Sequence, residues 1–297
     1  MNFLISPVIH PLIQILITFI LCSGILKLGN IINVKIFKSY NYYFLNFAIA
    51  SILISQILCT SLVFGIFKET VIIFSLCLFV LGIINVTFFK EIKTLLNLLF
   101  NNNYKLLGFI IFFYFLFLIL ISLGPPSMAD ALDYHYGVPL YLLNNSFLPN
   151  QDIWMHGSLF GFGELISAIG LYLHTDNFFT FFQLFSLILF FEFLIKKEKD
   201  RTKFFFVLIF IISSPIILFL ISGPKALLFP QLLTTTALYM FFKEKKFNKN
   251  NLILITILLI GATQFKLSFI LSSTVIGLLI LMNAFKFDKK IIVNLAL

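Results

Sequence analysis

Seven apolar runs dominate the chain, at residues 8–28, 44–66, 70–89, 105–123, 177–195, 204–221 and 226–242. Each is close to the roughly 20 residues that a helix needs to cross the hydrocarbon core of a bilayer. A chain built of such runs has one solvent in which it can fold. Inside hydrocarbon every backbone N–H and C=O must be paired within its own segment, so the runs are expected to be helices. A further run, 252–284, is too long for one crossing and is interrupted by Gln264 and Lys266. It is expected to form a hairpin of two short helices with Lys266 near the tip. The expected fold class is therefore all-α, a polytopic transmembrane helical bundle.

Composition excludes the alternatives. The chain is 60% hydrophobic and 11% charged, with 41 phenylalanines, and no water-soluble domain could bury that much apolar surface. Cytosolic enzymes, secreted disulfide domains and nucleic-acid binders are set aside. Cys22, Cys59 and Cys77 sit inside apolar runs without metal-ligand spacing and read as small hydrophobes. The first run has no basic segment ahead of it and reads as a retained span rather than a signal peptide.

The net charge of +9 comes from a lysine fringe. Lysines 27, 35 and 38 follow the first run, and lysines 90, 93 and 105 lie between the third and fourth. Lys196, Lys197, Lys199, Arg201 and Lys203 form one short segment; lysines 243, 245, 246 and 249 form another, and 286, 289 and 290 the last. The preference of basic loops for the cytoplasm puts all of these inside and the N-terminus outside. From Leu106 to Ile195 there is no Lys or Arg, yet this stretch holds Asp130, Asp133, Asp152, Glu164, Asp176, Glu192, three of the four histidines and the only Trp, Trp154. It reads as one large external loop, about 124–176, followed by a span that returns to the lysines. The segment 158–174 is apolar but short, glycine-interrupted and marked by Glu164, so it is expected to be an interfacial or re-entrant helix. The division expected is an N-terminal three-span segment, 1–104, and a core, 105–297. A last apolar run stops at Leu297, which suggests a C-terminally incomplete fold.

Ionisable groups at the outer surface are the candidates for chemistry. On a helix over 129–143, Asp130, Asp133 and Tyr134 would share a face, with His135 further round. Two carboxylates and an imidazole there admit a general base or a divalent-metal site at Asp130 and Asp133. Asp130 equally suits a helix N-cap. Glu164 lies in an apolar helix with no basic neighbour in sequence. A buried carboxylate costs several kcal/mol unless it is paired, so Glu164 is either an acid/base or orienting group or faces interfacial water. Three lysines face outward on this topology: Lys68, Lys225 in S-G-P-K, and Lys266 in T-Q-F-K-L-S. The last two suit an anionic lipid phosphate, or else snorkel to the interface. His156 beside Trp154, and His174, read as packing.

The run D-A-L-D-Y-H-Y-G-V-P, followed by N-N-S-F-L-P and then G-F-G-E-L-I, resembles the external loop of bacterial members of the GT-C superfamily of membrane glycosyltransferases. The resemblance covers about 120–195. It implies a GT-C-like bundle whose external loop carries short interfacial helices. It implies an enzyme that moves a sugar from a polyprenyl-phosphate donor to a lipid or glycan acceptor. The setting implied is the outer, periplasmic face of the bacterial inner membrane. Asp130 matches the acidic residue that acts there as base or metal-linked activator, with Mg or Mn as the implied cation. His135, Glu164 and Asp133 complete the catalytic set, and Lys266 and Lys225 would hold the donor's lipid phosphate. The alternatives are a transporter or flippase of lipid-linked glycans, and a non-catalytic membrane assembly protein.

Overall fold

The computed structural model describes residues 10–36, 42–85, 105–124, 131–150, 152, 154, 160–197, 201–243 and 249–287. All regular structure among them is helical. The helices are α1 (Pro11–Ile36), α2 (Tyr43–Val63), α3 (Phe67–Ile84), α4 (Lys105–Ser122), α5 (Gly137–Asn145), α6 (Phe162–Tyr172), α7 (Phe178–Lys197), α8 (Arg201–Ile212), α9 (Pro215–Ile221), α10 (Leu228–Lys243), α11 (Lys249–Phe265) and α12 (Ile270–Phe287). A π-helical turn, Ala131–Tyr136, runs directly into α5. Among the described residues, α1, α2, α3 and α7 are long and apolar enough to cross a membrane. The protein is an all-α membrane protein.

Contacts divide the chain into two compact units, Met1–Leu228 and Phe229–Leu297. The expected boundary ahead of Lys105 falls inside the first.

In the first unit α7 is the axis. It packs against α1, α2, α4 and α6, and 89% of its apolar window is buried, against 28% for α3. From hydropathy alone its Phe-rich stretch, 177–193, reads as lipid-facing span surface; the structure turns it inward instead. Phe182 and Phe193 are fully covered, and edge-on pairs join Phe19 to Phe185 and Phe44 to Phe190. Aromatic edges and faces interlock with their neighbours at close range, which makes these rings core rather than surface. Hydrogen bonds tie the start of α7 to the end of α4: Thr180 Oγ1 donates to the Ser122 carbonyl at 3.0 Å, and Asn177 Nδ2 to the Leu123 carbonyl at 3.3 Å.

Glycines let α1 approach its neighbours. A Cβ on Gly24 would lie 2.0 Å from the Leu78 carbonyl oxygen of α3, one on Gly82 2.0 Å from that of Ile20, and one on Gly29 1.8 Å from that of Asn46 in α2. Close backbone approach at small residues is how helices associate where no hydrophobic effect drives them together.

The bundle has two distinct ends. At one, Lys196 and Lys197 at the end of α7 lie 4.8 and 5.3 Å over the rings of Tyr43 and Tyr42 at the start of α2. At the other, the α2–α3 turn meets the residue that follows α5: the Lys68 backbone N–H donates to Ser146 Oγ at 3.2 Å.

Two elements differ from expectation. The run 204–221 forms two helices, α8 and α9, rather than one span. Pro215 opens α9, and Ser214 before it is extended (φ −73°, ψ 121°), the conformation that a following proline enforces. The helix expected over 129–143 is a π turn followed by α5. Pro139 in the first turn of α5 cannot continue an α-helix backward, because its ring would meet the His135 carbonyl four residues earlier.

The short helix over 158–174 resolves into α6. Phe162 through Leu171 are buried without a break. The helix is therefore enclosed by protein along its length.

In the second unit, Lys266 is extended (φ −155°, ψ 120°) and separates α11 from the short 3₁₀ turn Leu267–Phe269 that leads into α12. Ser273 Oγ donates to the Leu259 carbonyl at 3.1 Å. Both residues stand seven from Lys266, so the helices fold back on one another as a hairpin with that lysine at the turn. Phe229 of α10 meets Phe265 edge-on at 4.8 Å.

Candidate functional site

The π turn and the first turn of α6 bring together two residues 29 positions apart. His135 Nδ1 lies 2.7 Å from Glu164 Oε1, and the two side chains are 1% and 2% exposed. The other carboxyl oxygen, Oε2, accepts the Gly161 backbone N–H at 2.7 Å. Glu164 is thus the N3 residue of α6 and satisfies its N-cap amide, the half of a capping box that needs no side chain at the cap. The positive end of the helix dipole favours a carboxylate there.

These bonds fix the imidazole. A carboxylate offers only acceptors, so Nδ1 carries the hydrogen between them. Nε2 is left at the far side of the ring, buried and with no hydrogen-bond partner among the described residues. The Tyr134 ring lies against the imidazole with centroids 3.9 Å apart. A buried imidazole nitrogen without a hydrogen-bond partner among the described residues can accept a proton from a substrate hydroxyl or donate one. π-helical turns inside helices are rare and often mark functional sites.

A third segment adjoins. The turn between α9 and α10 is held by Gln183 of α7. Its Nε2 donates to the Leu220 and Gly223 carbonyls at 3.2 and 3.4 Å, and its Oε1 accepts the Leu228 N–H at 3.0 Å. Ala226 of this turn sits against Gly163, where a Cβ would come within 2.3 Å of the Ala226 Cβ. Lys225 therefore belongs to a turn that abuts the residue before Glu164. Its ammonium lies 5.8 Å over the Phe219 ring.

The other candidates are placed as follows. Asp133 is exposed, and its Oδ1 accepts the Trp154 indole N–H at 3.1 Å. Lys266, partly exposed, stands at the hairpin turn of the second unit. Asp130 and His156 lie outside the described residues. Of the carboxylate pair expected to hold a divalent cation, Asp133 is the described member. No group of three or more His, Cys, Asp or Glu side chains is gathered for a metal among the described residues. Beside the dyad, Tyr136 Oη donates to the Asp176 carbonyl at 2.7 Å. Burial, and then the Asp176 carboxyl, push its phenol above the ordinary range. Asp176 is itself raised by burial, against a lowering by His174.

The fold and site define a helical membrane protein with a buried imidazole–carboxylate pair at one end of its bundle. Residues 85–287 match the DUF1420 N-terminal domain, and the chain belongs to that family. No curated protein and no solved structure matches it. The matched region contains the π turn, α5, α6, α7 and the Lys225 turn.

Sequence reasoning named His135 and Glu164 separately but not as a pair. The available signal was the G-F-G-E spacing, which puts Glu164 at N3 of a helix and explains one of its two oxygens. It missed Gln183, a polar residue in a span whose only advertisement is its cost there.

Proposed function

We propose that this protein is a membrane glycosyltransferase of GT-C type, acting on the outer face of a bacterial inner membrane. The observation that carries the reading is the buried His135–Glu164 pair with Nε2 turned to a place without a described protein partner. In this reaction an acceptor hydroxyl attacks the anomeric carbon of a polyprenyl-phosphate sugar. The bond from that carbon to the phosphate oxygen breaks, and the polyprenyl phosphate departs with the electron pair. The hydroxyl proton passes to His135 Nε2. Glu164 holds the ring and stabilises the imidazolium that forms, a division of labour common to carboxylate–histidine pairs.

Lys225, whose turn abuts α6, neutralises charge on the departing phosphate. Asp130 stands five residues before His135 and remains the family-type acidic residue of the proposal. No step here runs through a metal.

The orientation rests on the lysine fringe. The Lys196–Lys197 end is cytoplasmic by the positive-inside rule, which puts the dyad at the opposite, external end.

The test uses the full chain in bilayers with a radiolabelled polyprenyl-phosphate sugar and a panel of lipid and glycan acceptors. Transfer by the wild type, lost by about two to four orders of magnitude in His135→Asn at equal expression, is expected. Undiminished transfer in that variant overturns the assignment. Translocation of the intact lipid-linked sugar without glycosidic-bond breakage would favour a flippase instead.

A further inference from the structure

The segment that carries the dyad also carries a second arrangement. Trp154 donates its indole N–H to Asp133 Oδ1 at 3.1 Å, and its backbone N–H bonds the Asn150 carbonyl at 3.0 Å. The six-membered ring of the indole rests on Gly137. A Cβ there would lie 3.1 and 3.2 Å from its Cη2 and Cζ2. Tyr141 meets the indole edge-on at 6.3 Å and 67°, and Phe147 meets Tyr141 at 6.1 Å and 86°. Asp133 is exposed and Trp154 and Tyr141 are half-buried. The indole is therefore pinned on three sides, by a carboxylate, a glycine backbone and a tyrosine edge, while part of it stays open.

We infer that Trp154, Asp133 and Tyr141 form a saccharide-binding subsite that holds part of a glycan acceptor beside the dyad. The inference rests on the transferase reading and deepens it by naming the acceptor class. A sugar ring has an apolar C–H face and a rim of hydroxyls. An aromatic surface takes the first and a carboxylate accepts from the second, the usual mixture of apolar wall and few polar groups in a ligand site. A pinned indole loses little freedom on binding.

The competing occupant is the lipid interface, where tryptophans commonly sit. Leu132, Leu140, Phe147 and Leu148 are exposed on these same segments. The carboxylate decides between the two. An indole bonded to an aspartate cannot sink toward the acyl chains without drawing that charge along, and intramembrane aspartates are costly. The polar edge of the indole is committed to a group that keeps it on the water side.

Trp154 is the sole tryptophan of the chain, so its emission reports on this site alone and needs no turnover. The full-length protein in nanodiscs of zwitterionic lipid is titrated with a panel of soluble mono- and disaccharides. A saturable change in emission is expected with at least one of them. Asp133→Asn keeps an acceptor for the indole, so its unliganded spectrum should stay close to wild type while saccharide affinity falls about tenfold. Tyr141→Leu should weaken binding in the same direction.

No response to any saccharide, or equal affinity in Asp133→Asn, overturns the inference. Strong quenching of Trp154 by lipids brominated along the acyl chain also overturns it, in favour of an interfacial anchor. Saccharide binding without any transfer activity would overturn the transferase reading and leave the subsite standing. Transfer without a saccharide response would do the reverse.

Discussion

Glu164→Gln is the most informative single change, because the backbone dictates its outcome. Gly161 N–H is a fixed donor, 2.7 Å from Glu164 Oε2. A glutamine there must turn its carbonyl oxygen to that N–H, since its amide group would set donor against donor. The NH₂ then faces His135 Nδ1, which has to be bare to accept from it. The ring hydrogen is displaced to Nε2, and the atom proposed to take the acceptor proton already carries one. Two charge-assisted hydrogen bonds, each contributing about 1.5–3 kcal/mol, become neutral ones of about 0.5–1.5 kcal/mol, so the fold should lose roughly 2 kcal/mol. Glu164→Leu strands both donors in a buried place and should cost about 3–5 kcal/mol. Transfer by Glu164→Gln should fall by about four orders of magnitude, the scale seen when an amide behind a catalytic histidine enforces the wrong tautomer. Denaturant titration in mixed micelles measures the stability series. ¹⁵N-histidine NMR reads the tautomer, with His135 assigned by the signal missing from His135→Asn. An unprotonated Nε2 in Glu164→Gln, or a Leu variant as stable as the Gln variant, would refute the reasoning.

Three further outcomes are expected. Gly24→Ala and Gly82→Ala should each destabilise the α1–α3 contact by about 1–3 kcal/mol, since the added methyl meets a backbone oxygen at 2.0 Å and backbone cannot rotate away; thermal unfolding in detergent checks this. Gln183→Glu should be worse than Gln183→Leu, because a carboxylate sets acceptors against the Leu220 and Gly223 carbonyls whereas leucine only forfeits the bonds; comparing the two midpoints decides it. Asp176 binds its proton more tightly folded than unfolded, so its contribution is full below its unfolded pKa and is lost as pH rises through the raised folded value. Asp176→Asn should therefore be the more stable protein at neutral pH, and the difference should close at acid pH in paired unfolding curves.

Much of the architecture was legible because the bilayer demands long apolar helices and the chain supplies them with few exceptions. The break at Lys266 was readable for the same reason: a charge amid 252–284 has to sit at a turn. Pro215 was visible too, yet hydropathy runs straight through Ser213, Ser214 and Pro215, and only backbone sterics divide α8 from α9. The phenylalanines of α7 were misread because hydropathy cannot tell a side chain facing lipid from one facing another helix. At the site, residue types were legible and geometry was not. The α-helical spacing that put Asp130, Asp133 and Tyr134 on one face does not apply to a π turn. The partner of Glu164 lay 29 residues away, beyond any local pattern.

The central position of α7 bears on how the protein is made. A helix enclosed by its neighbours along most of its length meets lipid only until they close around it. The chain delivers α1, α2, α4 and α6 before α7, so four walls of its enclosure precede it out of the ribosome. Gln183 and the buried Glu192 would be poor company for acyl chains, and prompt docking shortens that exposure. For α7, the neighbouring helices rather than the membrane are the lasting environment, and its sequence answers to them.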